Sequence, residues 1–139
     1  MCIRDSPKSD STLRAPAEAA VSATAASWND FSPQGALEAT WGLIGATNAY
    51  LEQRAPWKME PGEELNAVMG NALEAIRLVS ILATPAIPQV CAVIWSRIGL
   101  EGAPTDEVFS TSARWGRYRA VHPITKGEPL FPRIKANVE

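Results

Sequence analysis

Between Leu13 and Leu100, apolar residues recur at three- and four-residue steps, the spacing that gathers them on one face of a helix. The first set, Leu13, Ala17, Val21, Thr24 and Trp28, predicts a modest Ala-rich helix over 15–28 that "NDFSP" breaks. Ser32 before Pro33 is a cap followed by a first-turn proline, and it opens a second helix reaching about Arg54. Its stripe reads as Leu37, Trp41, Ile44, Asn48 and Leu51, which puts the polar Asn48 on the buried seam. A buried amide costs about 1–3 kcal/mol unless it is hydrogen-bonded, so Asn48 is expected to have a partner on a neighbouring helix or loop.

The turn "MEPGEEL" follows, with Pro61 and Gly62 as breakers and Glu63 and Glu64 placed to favour the positive end of a third helix. That helix carries Leu65, Val68, Met69, Ala72, Leu73, Ile76, Val79, Ser80 and Ala83 in helical order. Its second half, "IRLVSILA", is apolar almost all round except for Arg77, which predicts packing on more than one side. "TPAIP" ends it, because a residue before proline avoids the helical region. A fourth helix over 88–98 is expected to turn Val90, Cys91, Ile94, Trp95 and Ile98 inward, with Gly99 as a left-handed terminator.

After Leu100 the periodicity vanishes, and residues 101–139 read as an extended tail punctuated by proline and glycine. Its charge departs from the rest of the chain. Residues 111–135 hold six basic side chains (Arg114, Arg117, Arg119, Lys126, Arg133, Lys135) against Glu128 alone, whereas residues 1–110 hold seven basic and thirteen acidic ones. Two readings fit that tail: contact with RNA phosphates, which needs only cations within reach of the backbone, or packing of the apolar Leu130, Phe131 and Ile134.

The 139 residues, 46% of them apolar, suit one compact domain. No run of eighteen uncharged apolar residues appears, so a membrane-spanning segment is not expected and the chain reads as soluble and cytoplasmic. Cys2 and Cys91 stand far apart with His122 the one histidine, which does not match zinc or redox spacings, so no metal is expected and Cys91 reads as a buried thiol. The glycines are isolated rather than grouped into a phosphate loop, and adjacent Glu63 and Glu64 read as a helix-start pair rather than an acid and base. No catalytic residue is assigned.

Trp57 has two readings of its own. It caps the bundle hydrophobically, or it offers an exposed indole beside Arg54 and Lys58, an arrangement suited to an unstacked base of a single-stranded RNA loop.

The stretch "NAYLEQRAPWK" resembles the signature of the methionyl-tRNA synthetases, in which an Asn-x-Tyr helix end leads through an acidic-containing turn to Pro-Trp. "ALEAIRLVSILATPAIPQVCAVIWSRIGL" is similar to that family's next helix pair, and "HPITKGEPLFPRI" to the segment with which many members close their core. The resemblance covers about residues 15–135. It implies an all-α helical bundle, the anticodon-binding domain of a class I aminoacyl-tRNA synthetase, with an extended C-terminal tail. It further implies that the parent attaches methionine to its tRNA using ATP, with no cofactor in this stretch.

By the same resemblance Trp57 stacks on the first anticodon base, a cytosine, and Asn48 and Tyr50 hold the helix against the loop bearing it. The implied anticodon-binding set is Trp57, Asn48, Tyr50, Arg54 and Lys58, with the anticodon loop of the methionine tRNA and an N-terminal catalytic domain as partners and no membrane. The family's other anticodon-reading residues lie on an earlier helix, and its two catalytic signatures are not found here. The resemblance has "PLFPRI" pack between bundle and catalytic domain. The competing reading is a non-catalytic helical module that binds another protein, which predicts an exposed apolar patch without clustered cations.

The opening "MCIRDS" matches the translated end of a transposase adapter used for sequencing libraries. Residues 1–14 are therefore expected to be an adapter-derived, disordered lead, with native sequence continuing upstream. The expected bundle is 15–100 and the tail 101–139.

Overall fold

A computed structural model describes residues 12–134; the expected adapter-derived lead lies, up to Ser11, outside the described residues. These form the helices α1 (Arg14–Asn29), α2 (Pro33–Arg54), α3 (Glu63–Ala83), α4 (Pro88–Arg97) and the short α5 (Phe109–Ser112), with 3₁₀ turns at Pro56–Lys58 and Pro104–Asp106. No strand occurs among the described residues, in keeping with the expected all-α class. The packed bundle already takes in Leu13, which is buried just ahead of α1.

α1 and α2 pack as a hairpin. The Ser32 hydroxyl accepts from the Gly35 N–H at 3.2 Å and Pro33 occupies the first turn, so α2 starts where its cap signal lies. The buried face of this hairpin is built mostly from small side chains, Ala17, Ala20 and Thr24 on one helix and Ala36, Thr40 and Thr47 on the other, with Leu43 and Tyr50 as the bulky buried members of α2. Thr40 and Thr47 donate back to the carbonyls of Ala36 and Leu43 at 2.9 and 2.8 Å, which satisfies their hydroxyls within the helix.

This seam corrects the expected stripe of α2 by one residue, about 100° of rotation at 3.6 residues per turn. Trp41 is 52% exposed and Asn48 is also exposed, while Leu37, Ile44 and Leu51 are half-buried. Asn48 therefore needs no buried partner, because water reaches it. The physical reason is helix approach. Where two backbones come close there is room mainly for small side chains, so Ala36, Thr40 and Thr47 share the buried face with Leu43 while Leu37, Trp41 and Ile44 lie on the flank.

α3 is the axis of the bundle, packing against α1, α2 and α4. Val68, Ala75, Leu78 and Leu82 join Leu13, Ala17, Leu43 and Tyr50 in the main core cluster. Met69, expected inward, is exposed. By length and composition alone α3 is apolar enough to cross a membrane, which the sequence reading did not anticipate; 67% of its most apolar window is buried inside the bundle, as in a core helix. Cys91, Trp95 and Ile98 are buried at α4, and Gly99 ends that helix at φ +82°, as expected. Burial pushes the Cys91 thiol above its ordinary range, opposed by a hydrogen bond with Thr84.

The segment after Leu100 is not a loose tail over its whole length. Pro104, Ala113 and Tyr118 are buried, and Ala113 forms a second small cluster with Ile81 and Trp95. The Tyr118 hydroxyl donates to the Ile98 carbonyl at 2.7 Å, the Trp95 indole N–H to the Glu101 carbonyl at 3.0 Å, and the N–H groups of Val121 and His122 to the Gly99 carbonyl. Further on, Phe131 is exposed and Ile134 is 96% exposed, with Leu130 half-buried.

Buried between α3 and this returning segment is an ion pair whose burial no spacing rule singles out. Arg77 donates from Nε and Nη2 to the two carboxylate oxygens of Glu74 at 2.8 and 2.7 Å. Its remaining donors reach the carbonyls of Ser112 and Arg114, both at 2.7 Å, and Glu74 accepts from the backbone N–H groups of Gly116 and Arg117. Every charged atom of the pair is thus hydrogen-bonded, the condition under which burial of two charges is tolerated.

Candidate nucleic-acid interface

The C-terminal end of α2 is shaped by Ala55, whose left-handed conformation (φ 47°, ψ 62°) stops the helix and whose N–H still bonds the Leu51 carbonyl at 2.8 Å. Pro56 follows. Its fixed φ and missing N–H suit the first position of the 3₁₀ turn that carries Trp57 and Lys58. The turn closes through the Lys58 N–H to the Ala55 carbonyl at 2.9 Å and the Met59 N–H to the Pro56 carbonyl at 3.1 Å. Met59 then packs against the main core cluster.

Trp57 stands between these anchors and is 67% exposed. An indole that stays mostly in water forgoes the stabilisation of burial, so Trp57 is not a hydrophobic cap of the described bundle. Lys58 beside it is also exposed, and so is Asn48 on the outer flank of α2.

Tyr50 and Arg54 sit differently from the other three candidates. Tyr50 is 2% exposed, and its hydroxyl accepts from Asn71 Nδ2 at 3.2 Å. The Arg54 guanidinium lies over the Tyr50 ring, 5.6 Å from its centroid, a cation–π geometry that leaves Arg54 half-buried. The structure therefore sorts the five residues into three on the surface (Trp57, Lys58, Asn48) and two beneath it. Asn71, absent from the sequence-derived set, is the third member of the underlying layer; its only signal in the sequence is an amide in the apolar stretch of α3.

A separate cleft of about 340 Å³ opens beside α4, lined among others by Trp95, Glu107, Arg117 and Arg119, and shares no residue with the Trp57 turn. Among the described residues no group of His, Cys, Asp and Glu side chains is arranged to hold a metal ion.

A family model described as the anticodon binding domain of methionyl tRNA ligase matches residues 6–138. The chain is 31% identical over 137 residues to a methionine–tRNA ligase of Bacillus subtilis, covering 94% of this chain and 20% of that protein. It is 32% identical over 111 residues to the methionine–tRNA ligase of Streptomyces coelicolor, covering 73% of this chain and 21% of the relative. With the ligase of Streptococcus pyogenes serotype M1 the identity is 34% over 108 residues, 75% of this chain and 16% of the relative. The chain thus spans about a fifth of the length of these relatives, in the part that binds the anticodon. Helical architecture, the Pro-Trp exit from α2 and the match over nearly the whole sequence agree, and the chain belongs to the family of anticodon binding domains of methionyl tRNA ligases.

Proposed function

We propose that this chain is the tRNA-recognising part of a methionine–tRNA ligase and that Trp57 stacks on the first anticodon base, the cytosine of CAU. The observation that carries the reading is the exposed indole of Trp57, carried on a hydrogen-bonded 3₁₀ turn and followed by the exposed Lys58. Stacking of a base on an aromatic side chain is worth about 1–3 kcal/mol and needs an accessible ring face with cations near the backbone. Asn48, on the exposed flank of α2, is a polar contact for the loop rather than a core residue; Tyr50 and Arg54 support the turn from beneath.

In the parent enzyme the chain's partner is the anticodon loop of the methionine tRNA, and activation of methionine by ATP belongs to a catalytic domain outside this sequence. The site is proposed to work in the cytoplasm, without a cofactor of its own. The exposed Phe131 and Ile134 are consistent with a terminal segment that packs on that catalytic domain.

The test is binding to a methionine anticodon stem-loop carrying CAU, against the same loop with its first anticodon base changed, at fixed low salt. A preference for CAU that Trp57→Ala removes supports the reading. Equal binding of both loops, unaltered by the substitution, rejects Trp57 as the base-reading residue and favours a protein-binding module.

A further inference from the structure

We infer that Asn71 is a positioning residue for the Trp57 turn and acts through Tyr50. The inference rests on Trp57 as the RNA-stacking residue and adds, on a different helix, the group that determines where the indole stands.

Asn71 lies on α3, 21 residues along the chain from Tyr50 on α2, and the two side chains meet at 3.2 Å in the interior. Both are at least nine-tenths buried, at 6% and 2% exposure. Tyr50 in turn carries Arg54 on its ring, and Arg54 is the last residue of α2, directly before the left-handed Ala55 from which Pro56 and Trp57 leave. A continuous line of contact therefore runs from α3 through the phenol to the residue that starts the exit.

The chemistry of this line is directional where the surrounding core is not. Apolar contacts between α2 and α3 tolerate small slides of one helix along the other, since methyl and methylene groups exchange neighbours at little cost. A buried amide and phenol keep their hydrogen bond only over a narrow range of relative positions, and a slide that breaks it costs a bond in the interior. The pair thus fixes the depth of the Tyr50 ring, and with it the end of α2. On the other side Met59 is seated in the same core cluster as Tyr50, so the turn is held at two points and Trp57 at neither. Stacking depends on the placement of a ring to within about 1 Å, which makes the indole sensitive to such a support.

The experiment uses the full 139-residue chain, its Tyr50→Phe, Asn71→Leu and doubly substituted forms, and the CAU and changed-base stem-loops. Tyr50→Phe keeps the ring under Arg54 and removes only the hydroxyl. Each single substitution is expected to lower the preference for CAU by roughly threefold to tenfold, the equivalent of one hydrogen bond's net worth, and the double form should lose no more than either single.

A second readout needs no RNA. The indole N–H signal of Trp57 in a ¹H–¹⁵N spectrum, assigned through Trp57→Phe, should shift in both single variants while that of Trp28 stays in place. An unmoved Trp57 signal in Tyr50→Phe overturns the inference, and so does a parallel loss of affinity for both loops that follows loss of stability. If Asn71→Leu fails to fold, Tyr50→Phe alone decides. A wild-type chain that does not distinguish the loops overturns the RNA reading, and the indole signal then decides the positioning role by itself.

Discussion

Glu74 and Arg77 face each other in a two-point ion pair with both side chains 4% exposed, and between them they hold the backbone of four residues from the C-terminal segment. The pair is local on α3, yet what it fastens lies 35 to 43 residues away in sequence.

Removing one member strands the other charge in the interior. Arg77→Met or Glu74→Leu is expected to destabilise the chain by about 3–5 kcal/mol, and the double substitution by no more than the worse single one, because it leaves no unpaired charge. Urea unfolding of the four proteins checks this. Fully additive losses would show that the pair is not acting as a unit. The exposed Arg14–Glu18 pair, at 3.0 Å on α1, should by contrast be worth no more than about 0.5 kcal/mol.

The rotated face of α2 is testable at two positions. Leu43→Ala opens a cavity in the main cluster and should cost about 2–5 kcal/mol, whereas Asn48→Ala on the solvent side should change stability by less than about 0.5 kcal/mol. Thermal or urea unfolding distinguishes the two registers directly. A large loss at Asn48 would restore it to the seam.

Ala55 holds a left-handed backbone that L-residues adopt at a cost of about 1–2 kcal/mol. Ala55→Gly removes that cost and adds backbone freedom to the unfolded chain, for an expected net gain of up to about 1 kcal/mol in unfolding free energy. The unfolding midpoint is the readout, and a destabilised variant would mean the methyl group packs usefully.

Two buried acids predict the alkaline limit. Burial raises the Cys91 thiol and the Tyr118 phenol above their ordinary values, so the unfolded chain releases these protons first. Stability is therefore complete at neutral pH and falls above about pH 9, as Cys and then Tyr titrate in the unfolded state. Urea midpoints at pH 7.5 and pH 10 should diverge less in Cys91→Ala and Tyr118→Phe than in the wild-type chain. Equal divergence in all three would assign the effect elsewhere.

Much of the bundle was legible because its signals are local. Ser32 with Pro33 marks one helix start and Gly99 one helix end, and each rule needs only neighbours in sequence. The phase of α2 was not legible, because hydropathy ranks Leu37, Trp41 and Ile44 above Ala36, Thr40 and Thr47, while the seam selects for size. The docking of residues 104–118 was hidden for a different reason. The groups it offers Glu74 and Arg77 are backbone ones that any sequence supplies, and Ala113 and Tyr118, which also dock, stand outside any helical period. At the candidate interface, the Pro-Trp step advertised Trp57, but nothing in the sequence connects Asn71 to Tyr50.

The geometry around Trp57 also has a kinetic side. Ala55, Pro56 and Met59 settle the backbone of this turn while the chain folds. Ordering a residue's backbone costs about 1–2 kcal/mol, so a shelf assembled only on encounter would slow or weaken every productive collision. On the proposed reading, a base arriving from solvent meets a turn that is already formed. On that reading, discrimination then lies in how well the base that a loop presents stacks on a ring whose support is already in place.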